Sequence, residues 1–345
     1  MKRVLVTGGG GYIGTTLVPL LLEDGYSVRV VDRFFFGRAR LDENPNLVIV
    51  TEDVRRLEYE HFEGIDAVID LAAISNDPSG ELFETATWAI NHRARVRCAR
   101  LARESGVRRY VLPSSCSVYG FQDKSTVSDE SSPTNPLTTY AKANLAAEGG
   151  VLELVDDDFA VAVARQATVY GYSPRMRFDL AINGMTYGAW KTGRLPLMRD
   201  GSQWRPMIHV KDTARALIHL METDPVLVSG KIFNVGSQRN VYQIGDLGRI
   251  VGDLVPGEVE IEWYGDPDHR SYRVSFDRIE ATGWKATLGA EDGVSDTVQA
   301  LSQGVTDRTT ETITLDWYSA LDRFNTLLPD LLLDGHLIDL PEDKA

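Results

Sequence analysis

Residues 1–14 read MKRVLVTGGGGYIG and join a short apolar run of strand type to regularly spaced glycines. Gly8, Gly11 and Gly14 precede an apolar stretch that suits a helix. In such a loop the first glycine permits a tight turn, the second lets the backbone approach a pyrophosphate, and the third lets helix and strand pack closely. Free N–H groups and the helix dipole attract an anion there. The stretch therefore predicts a dinucleotide-binding loop that includes Tyr12 and Ile13.

A second strand and an acidic residue follow the loop. The predicted helix ends near Gly25, residues 27–31 read SVRVV, and Asp32 ends that run. A carboxylate at this place suits a ribose with two free hydroxyls and repels the extra phosphate of NADP. We therefore predict NAD as the cofactor. Arg33 and Arg38 lie close enough to receive a phosphate, so NADP remains the alternative.

Composition limits the possible partners. A chain of 345 residues with 43% hydrophobic content can bury a full core. It shows neither an apolar run of about 18 residues nor a charged-then-apolar leader, so we expect a cytoplasmic protein without a membrane span. The net charge of −14 argues against nucleic acid and anionic membranes as partners. Cys98 and Cys116 lack metal-ligand spacing, so we predict buried thiols and no metal site.

Strand and helix patterns alternate along the chain. Predicted strands cover 47–50, 67–71, 109–112, 158–165 and 232–235, and predicted helices cover 86–105, 210–222 and 244–255. This alternation indicates an α/β fold with a doubly wound parallel sheet and helices on both faces. Ligands of such folds bind at the carboxyl ends of the strands.

Two later motifs carry a family resemblance. Residues 112–120 read LPSSCSVYG, and residues 139–148 read TYAKANLAAE. Residues 201–212 (GSQWRPMIHVKD) and 268–274 (DHRSYRV) add support. With these motifs the chain resembles the extended short-chain dehydrogenase/reductase family, in particular its nucleotide-sugar epimerases and dehydratases. The resemblance covers roughly residues 1–285 and implies a Rossmann-type fold.

The resemblance implies hydride transfer with NAD, a nucleotide-diphosphate sugar as substrate, and a homodimer formed through the 86–105 helix and the helix after Tyr140. It makes Tyr140 the acid/base and Ser115 its hydrogen-bond partner. The cofactor contacts that it implies, beyond the glycine loop and Asp32, are Asp53, Val54, Leu71, Ala72, Ala73, Asn91, Tyr140 and Asn144. The substrate contacts that it implies are Ser75, Ser115, Thr168, Asn183, Arg205 and Arg270.

One position departs from the family pattern. Relatives carry a lysine four residues after the catalytic tyrosine, where this chain has Asn144. Lys142 lies about 200° around the helix from Tyr140 and cannot replace that lysine directly. An amide can hold a ribose hydroxyl but supplies no charge to lower the tyrosine pKa. Three explanations remain open: the nicotinamide charge suffices, another base acts, or the chain is a redox-inert NAD-binding scaffold or sensor.

The residues after Ser115 bear on the reaction. The family's 4,6-dehydratases carry an Asp-Glu pair there, whereas this chain has Cys116 and Ser117. We therefore expect epimerisation at carbon 4 by transient oxidation, with a 4-ketoreductase or a dehydratase as alternatives. Thr168 and Asp70 replace the Asn and His of many relatives at positions that we expect to line the pockets.

The predicted domains are an NAD-binding Rossmann domain over 1–165, to which about 205–240 returns, and a smaller substrate-binding lobe over 166–325. A C-terminal extension covers 326–345. Residues 316–333 show helical spacing interrupted by Pro329. We interpret them as a packing or dimerisation helix rather than a functional element.

Overall fold

The computed structural model describes residues 2–38, 40–121, 126–265 and 271–332. Its strands are β1 (Arg3–Thr7), β2 (Ser27–Asp32), β3 (Leu47–Thr51), β4 (Ala67–Asp70), β5 (Arg109–Ser115), β6 (Val127–Ser128), β7 (Ala160–Gln166), β8 (Thr168–Tyr170), β9 (Arg194–Met198), β10 (Trp204–His209), β11 (Lys231–Val235), β12 (Val241–Gln243), β13 (Glu260–Tyr264) and β14 (Arg273–Val274). Its α-helices are α1 (Gly14–Glu23), α2 (Asp77–Leu82), α3 (Glu84–Thr87), α4 (Arg95–Glu104), α5 (Thr139–Leu152), α6 (Ala181–Thr192), α7 (Val210–Glu222), α8 (Pro225–Val228), α9 (Ile244–Leu254), α10 (Asp277–Glu280), α11 (Ala290–Ser302) and α12 (Thr314–Leu331).

One parallel sheet dominates the fold and follows the order β11-β7-β5-β4-β1-β2-β3. In its register Thr7 of β1 lies beside Val31 of β2 and Asp70 of β4. The chain leaves β1 toward β2 on one side and returns to β4 on the other, which opens a crevice at the carboxyl ends of these strands. The doubly wound α/β fold predicted from the sequence is confirmed, and the crevice is where a ligand is expected.

Helices cover both faces of this sheet. Leu17 of α1 and Leu217 of α7 belong to the core on one face. Ala99 of α4 and Val151 of α5 belong to the core on the other. Complete burial of a leucine side chain stabilises the fold by about 2 kcal/mol relative to exposure, so these contacts fix the helices on the sheet.

The remaining elements form a smaller lobe with its own core. Its sheets are the three-stranded β12-β10-β8 and the two-stranded β13-β9. Leu195 of β9, Leu247 of α9 and Val294 of α11 pack together in its interior. The lobe therefore rests on an independent hydrophobic cluster at the carboxyl end of the large sheet.

Several predicted elements differ from the structure in their bounds or in their form. The strand expected from 158 begins at Ala160, because Asp156 Oδ1 accepts the N–H groups of Asp158 and Phe159 and holds a turn there. The helix expected over 86–105 contains a π-helical segment, Trp88–Ala94, between α3 and α4. Helix α12 continues through Pro329 to Leu331, and the Leu332 N–H donates to the Leu328 carbonyl at its end.

Both cysteines agree with the prediction from composition. Cys98 and Cys116 are buried and have free thiols. Burial raises the pKa of each thiol, so neither is a reactive thiolate at neutral pH.

Candidate active site

A cavity of about 1190 Å³ runs along the carboxyl ends of the central strands. The residues predicted from the sequence that line it are Gly8, Gly11, Tyr12, Ile13, Gly14, Asp32, Asp53, Val54, Leu71, Ala72, Ala73, Ser75, Ser115, Tyr140, Thr168 and Arg205. The fold thus brings predicted cofactor, catalytic and substrate residues from distant parts of the chain into one space.

The glycine loop forms one end of the cavity. Gly8 has φ +68°, and a Cβ atom there would lie 2.7 Å from the Ala72 backbone nitrogen. A Cβ atom on Gly14 would lie 2.5 Å from the Gly8 carbonyl oxygen. Any side chain at these two positions would collide with backbone atoms, so only glycine fits. Helix α1 begins at Gly14, and its N-terminus gives the cradle the N–H groups and dipole that suit a pyrophosphate.

Asp32 lies beside this loop at the end of β2. Its Oδ2 accepts the Gly10 N–H at 2.9 Å, and its Oδ1 accepts the Phe34 N–H at 2.6 Å. Burial raises the pKa of this carboxyl, and the two hydrogen bonds oppose the rise. Arg33 forms an ion pair with Asp53 at 3.0 Å, so its guanidinium already has an anionic partner. This pairing favours the NAD prediction over NADP.

Asp53 itself is held by two arginines. Arg55 binds it at 2.6 Å in addition to Arg33, and the Arg55 hydrogen bond is the main cause that lowers the pKa of this carboxyl. The paired side chain fixes the Val54–Arg56 turn at the edge of the cavity.

Ser115 and Tyr140 meet in the middle of the cavity. Ser115 ends β5, and its Oγ accepts the Ser117 N–H at 3.1 Å. Tyr140 lies in the first turn of α5, which Thr138 caps by accepting the Ala141 N–H at 3.1 Å. Both side chains line the cavity. Burial raises the pKa of the Tyr140 phenol, while the positive charge of Arg95 and the Ser115 hydrogen bond lower it.

Asn144 does not have the place that the sequence predicts. Only 1% of it is exposed, and it is not among the cavity-lining residues. Its Oδ1 accepts a hydrogen bond from Arg95 Nη1 at 2.8 Å, and its Nδ2 donates to the Tyr140 carbonyl at 2.9 Å. The geometry therefore gives no support to a ribose contact by Asn144, because the side chain points to Arg95.

Three other predicted residues lie behind the cavity wall. Asn91 is fully buried. Its Oδ1 accepts the Ile74 N–H at 2.8 Å and its Nδ2 donates to the Ile74 carbonyl at 2.9 Å, so it holds the 71–75 segment. Asn183 is also fully buried and accepts the Gly171 N–H at 2.8 Å. Asp70, expected to line a pocket, is 1% exposed and accepts hydrogen bonds from Thr7 and Tyr110.

Three arginines from the second half of the chain line the cavity. Arg205 lines it as predicted, and Arg175 and Arg177 join it from the segment after β8. Arg177 pairs with Asp179 at 2.6 Å and donates to Ser75 Oγ at 3.2 Å. Burial lowers the pKa of Arg175 to about 9. Arg270 lies outside the described residues.

The sequence interpretation missed Arg95, Arg175 and Arg177. Arginine is frequent throughout the chain, so none of them differs from its neighbours by composition. The run 174–177, PRMR, directly after the β8 motif was a usable signal. Arg95 follows Asn91 at helical spacing, which places both on one helix face, but only the packed structure shows what that face meets.

The helix interpreted as a packing element also lines the cavity, which its sequence did not indicate. Tyr318, Leu321, Phe324 and other residues of α12 line the cavity. The Tyr318 ring makes edge contacts with Phe36 at 5.5 Å, Phe83 at 6.1 Å and Phe35 at 6.2 Å. Helical spacing identified the apolar face but not what it covers, which is the loop after β2.

The described residues contain no group of three or more side chains that could hold a metal ion. Within the same ranges no helix is long and apolar enough to cross a bilayer.

The fold and this cavity, in which a glycine cradle, an acid at the end of β2, a serine and a tyrosine lie together, are those of a dinucleotide-dependent enzyme of the extended short-chain dehydrogenase/reductase class. The chain belongs to the NAD dependent epimerase/dehydratase family, whose model matches residues 4–236. This confirms the family resemblance and NAD as the family's cofactor.

Individual relatives carry several activities. UDP-glucuronic acid decarboxylase 1 of Xenopus tropicalis is 27% identical over 86% of this chain and 71% of its own length. A putative UDP-glucose 4-epimerase of Methanocaldococcus jannaschii is 26% identical over 84% of this chain and 95% of its own. The solved structure of MoeE5 with UDP-glucuronic acid and NAD is 27% identical, with a TM-score of 0.76 over 88% of this chain and 99% of that one.

Proposed function

We propose that this protein is an NAD-dependent nucleotide-sugar epimerase that inverts carbon 4. The observation that carries the proposal is the single cavity that the glycine loop, Ser115, Tyr140 and three arginines from the second half of the chain line together. Bound NAD supplies the hydride acceptor for oxidation of the sugar and the hydride donor for its return.

The protein's own residues divide the remaining work. Gly8, Gly11 and Gly14 hold the pyrophosphate, and Asp32 binds the adenosine ribose. The Tyr140 phenolate accepts the proton of the reacting sugar hydroxyl and returns it afterwards, and Ser115 orients that hydroxyl by a hydrogen bond.

Residues beside Ser115 argue against dehydration. Cys116 is 1% exposed and does not line the cavity, and Ser117, which does, is not a carboxylic acid. Removal of water from the sugar needs an acid and a base at that place, so transient oxidation followed by reduction is the simpler reaction.

Decarboxylation is the second candidate. The curated relatives that are named UDP-glucuronic acid decarboxylases favour it. Oxidation at carbon 4 makes a carboxyl group on carbon 5 a β-keto acid, which loses carbon dioxide readily. Arg175 and Arg177 at the cavity wall suit a carboxylate of that kind.

Proton NMR of the protein with NAD and a panel of nucleotide sugars tests the proposal. The panel contains UDP-, GDP-, CDP- and dTDP-hexoses and a UDP-hexuronate. We expect a new anomeric signal without accumulation of NADH, and loss of that signal with Tyr140→Phe while Tyr172→Phe, outside the cavity lining, keeps it. A pentose signal with release of carbon dioxide would establish the decarboxylase instead. Absence of any product from protein that still binds NAD would favour a 4-ketoreductase or a scaffold.

A further inference from the structure

A buried arginine lies directly behind the catalytic tyrosine. Arg95 begins α4 and is 3% exposed. Its Nη1 donates to Asn144 Oδ1 at 2.8 Å and to the Pro113 carbonyl at 3.0 Å, and its Nε donates to the Ala72 carbonyl at 3.2 Å. The guanidinium therefore lies beneath the ends of β4 and β5 and against α5, one helical turn from Tyr140.

The hydrogen bonds described for this guanidinium do not run to a carboxylate. All of these acceptors are neutral oxygens. Asp70 is among them through its backbone carbonyl, which accepts from Arg95 Nη2 at 3.4 Å. The Asp70 carboxylate accepts instead from the hydroxyls of Thr7 and Tyr110. Burial in a medium of low dielectric strengthens the effect of the cation on its surroundings.

We propose that Arg95, held by Asn144, is the positioning residue that supplies the positive charge which relatives obtain from a lysine at position 144. This inference rests on the proposed function insofar as Tyr140 is the acid/base. Asn144 links Arg95 to the backbone of Tyr140. Its Oδ1 accepts a hydrogen bond from Arg95, and its Nδ2 donates to the Tyr140 carbonyl at 2.9 Å. Asn144 therefore gives Arg95 a neutral acceptor. A lysine at position 144 would instead place a second cation beside the guanidinium.

Other charged groups around Tyr140 do not give the same effect. Arg177 faces it from the segment after β8, but Asp179 pairs with that arginine at 2.6 Å. Asp77 of α2 faces it with the opposite sign and raises the pKa of the phenol. Arg95 is the strongest of the influences that favour the phenolate.

Arg95→Gln in the NAD-loaded protein tests the inference. The ionisation of Tyr140 is followed by tyrosinate absorbance against pH, with the curve of Tyr140→Phe subtracted. We expect the midpoint to rise by about one pH unit, and turnover near pH 7 to fall about tenfold while the alkaline plateau is kept. Arg95→Lys keeps the cation and should leave the midpoint within about 0.3 units.

Two further variants separate charge from folding. Arg95→Met with Asn144→Leu replaces the polar pair by apolar side chains of similar size, so that neither member of the pair is left without the other. It should raise the midpoint as Arg95→Gln does, and Arg95→Gln with Asn144→Lys should restore it. An unchanged midpoint in Arg95→Gln, or in the apolar pair if that variant alone folds, would overturn the inference. A raised midpoint in a protein that converts no sugar would reject the proposed function and leave the role of Arg95 standing.

Discussion

At the scale of single residues, the coupled pair Arg95 and Asn144 changes the expected effect of restoring the family lysine. Taken from the sequence alone, Asn144→Lys should raise turnover and move the pH optimum downward. In the structure a lysine at that place would meet the buried Arg95 guanidinium, whose nitrogen lies 2.8 Å from Asn144 Oδ1.

We therefore predict that Asn144→Lys destabilises the protein by about 2 kcal/mol without a gain in turnover, because two buried cations repel. Urea unfolding and the initial rate of the converted sugar measure both quantities. The matched variant Arg95→Gln with Asn144→Lys should regain stability. A faster and equally stable Asn144→Lys protein would contradict the prediction.

His209 gives a second prediction at this scale. It is fully buried at the start of α7, where its Nδ1 accepts the Lys211 N–H at 3.2 Å. Burial lowers its pKa to about 4 from the ordinary 6.5, against the opposing charge of Asp296. Between pH 4 and pH 6.5 the unfolded chain binds a proton at His209 that the folded chain does not bind. The contribution of neutral His209 to the free energy of unfolding is therefore complete above pH 6.5 and is lost as the pH falls toward 4.

We predict that His209→Asn, which keeps an N-cap acceptor, reduces this loss by up to about 3 kcal/mol. Unfolding free energies of both proteins at several pH values between 4 and 7 give the difference. Parallel curves for the two proteins across that window would refute the assignment.

At the scale of elements, α12 connects the C-terminal part of the chain to the cofactor end of the cavity. Trp317 Nε1 donates to the Phe35 carbonyl at 2.7 Å, and Arg175, whose guanidinium lies 3.6 Å from the Phe36 ring, donates to Thr314 at 3.1 Å. The helix is thereby fixed to the loop after β2, next to Asp32.

We predict that Tyr318→Ala raises the dissociation constant of NAD about tenfold, because three aromatic edge contacts that order this wall are lost. Titration calorimetry measures the constant, and Arg323→Ala, on an exposed position of the same helix, is the control. Equal affinity in the two variants would show that α12 does not form part of the cofactor site.

At the scale of the whole molecule, a buried hydrogen-bond cluster joins the large sheet to the smaller lobe. Tyr12 of the glycine loop donates to the Gly171 carbonyl at 2.6 Å. Asn183 of α6 donates to the Tyr12 hydroxyl at 3.1 Å and to the Arg177 carbonyl at 2.9 Å. The two parts of the cavity are held in register through these contacts.

We predict that Asn183→Ala lowers the unfolding free energy by about 3 kcal/mol, because it leaves buried polar groups without partners. The Michaelis constant for the sugar nucleotide should stay within about twofold at low temperature, where the variant is folded. A large rise in that constant with unchanged stability would instead support the substrate contact that the family resemblance implies.

Local patterns in the sequence predicted the doubly wound sheet, the glycine cradle, the acid at the end of β2 and the meeting of Ser115 and Tyr140 in one cavity. These features depend on local spacing: a turn that only glycine can make, a strand period, and a motif that ends one strand and begins one helix. Each is encoded within a few neighbouring residues.

The residues behind the cavity wall and the helix that covers the cavity follow from long-range packing, which no local pattern in the sequence predicts. Arg95 is one of several arginines in a helix, and its importance arises from Asn144, which is distant in the sequence and adjacent in space. Asn91 and Asn183 point inward because buried backbone groups there need partners, and Asp70 accepts hydrogen bonds from the hydroxyls of Thr7 and Tyr110. Helix α12 covers the cavity because its apolar face contacts Phe35, Phe36 and Phe83. The hydrophobic periodicity of the helix predicts an apolar face but not the residues that this face contacts.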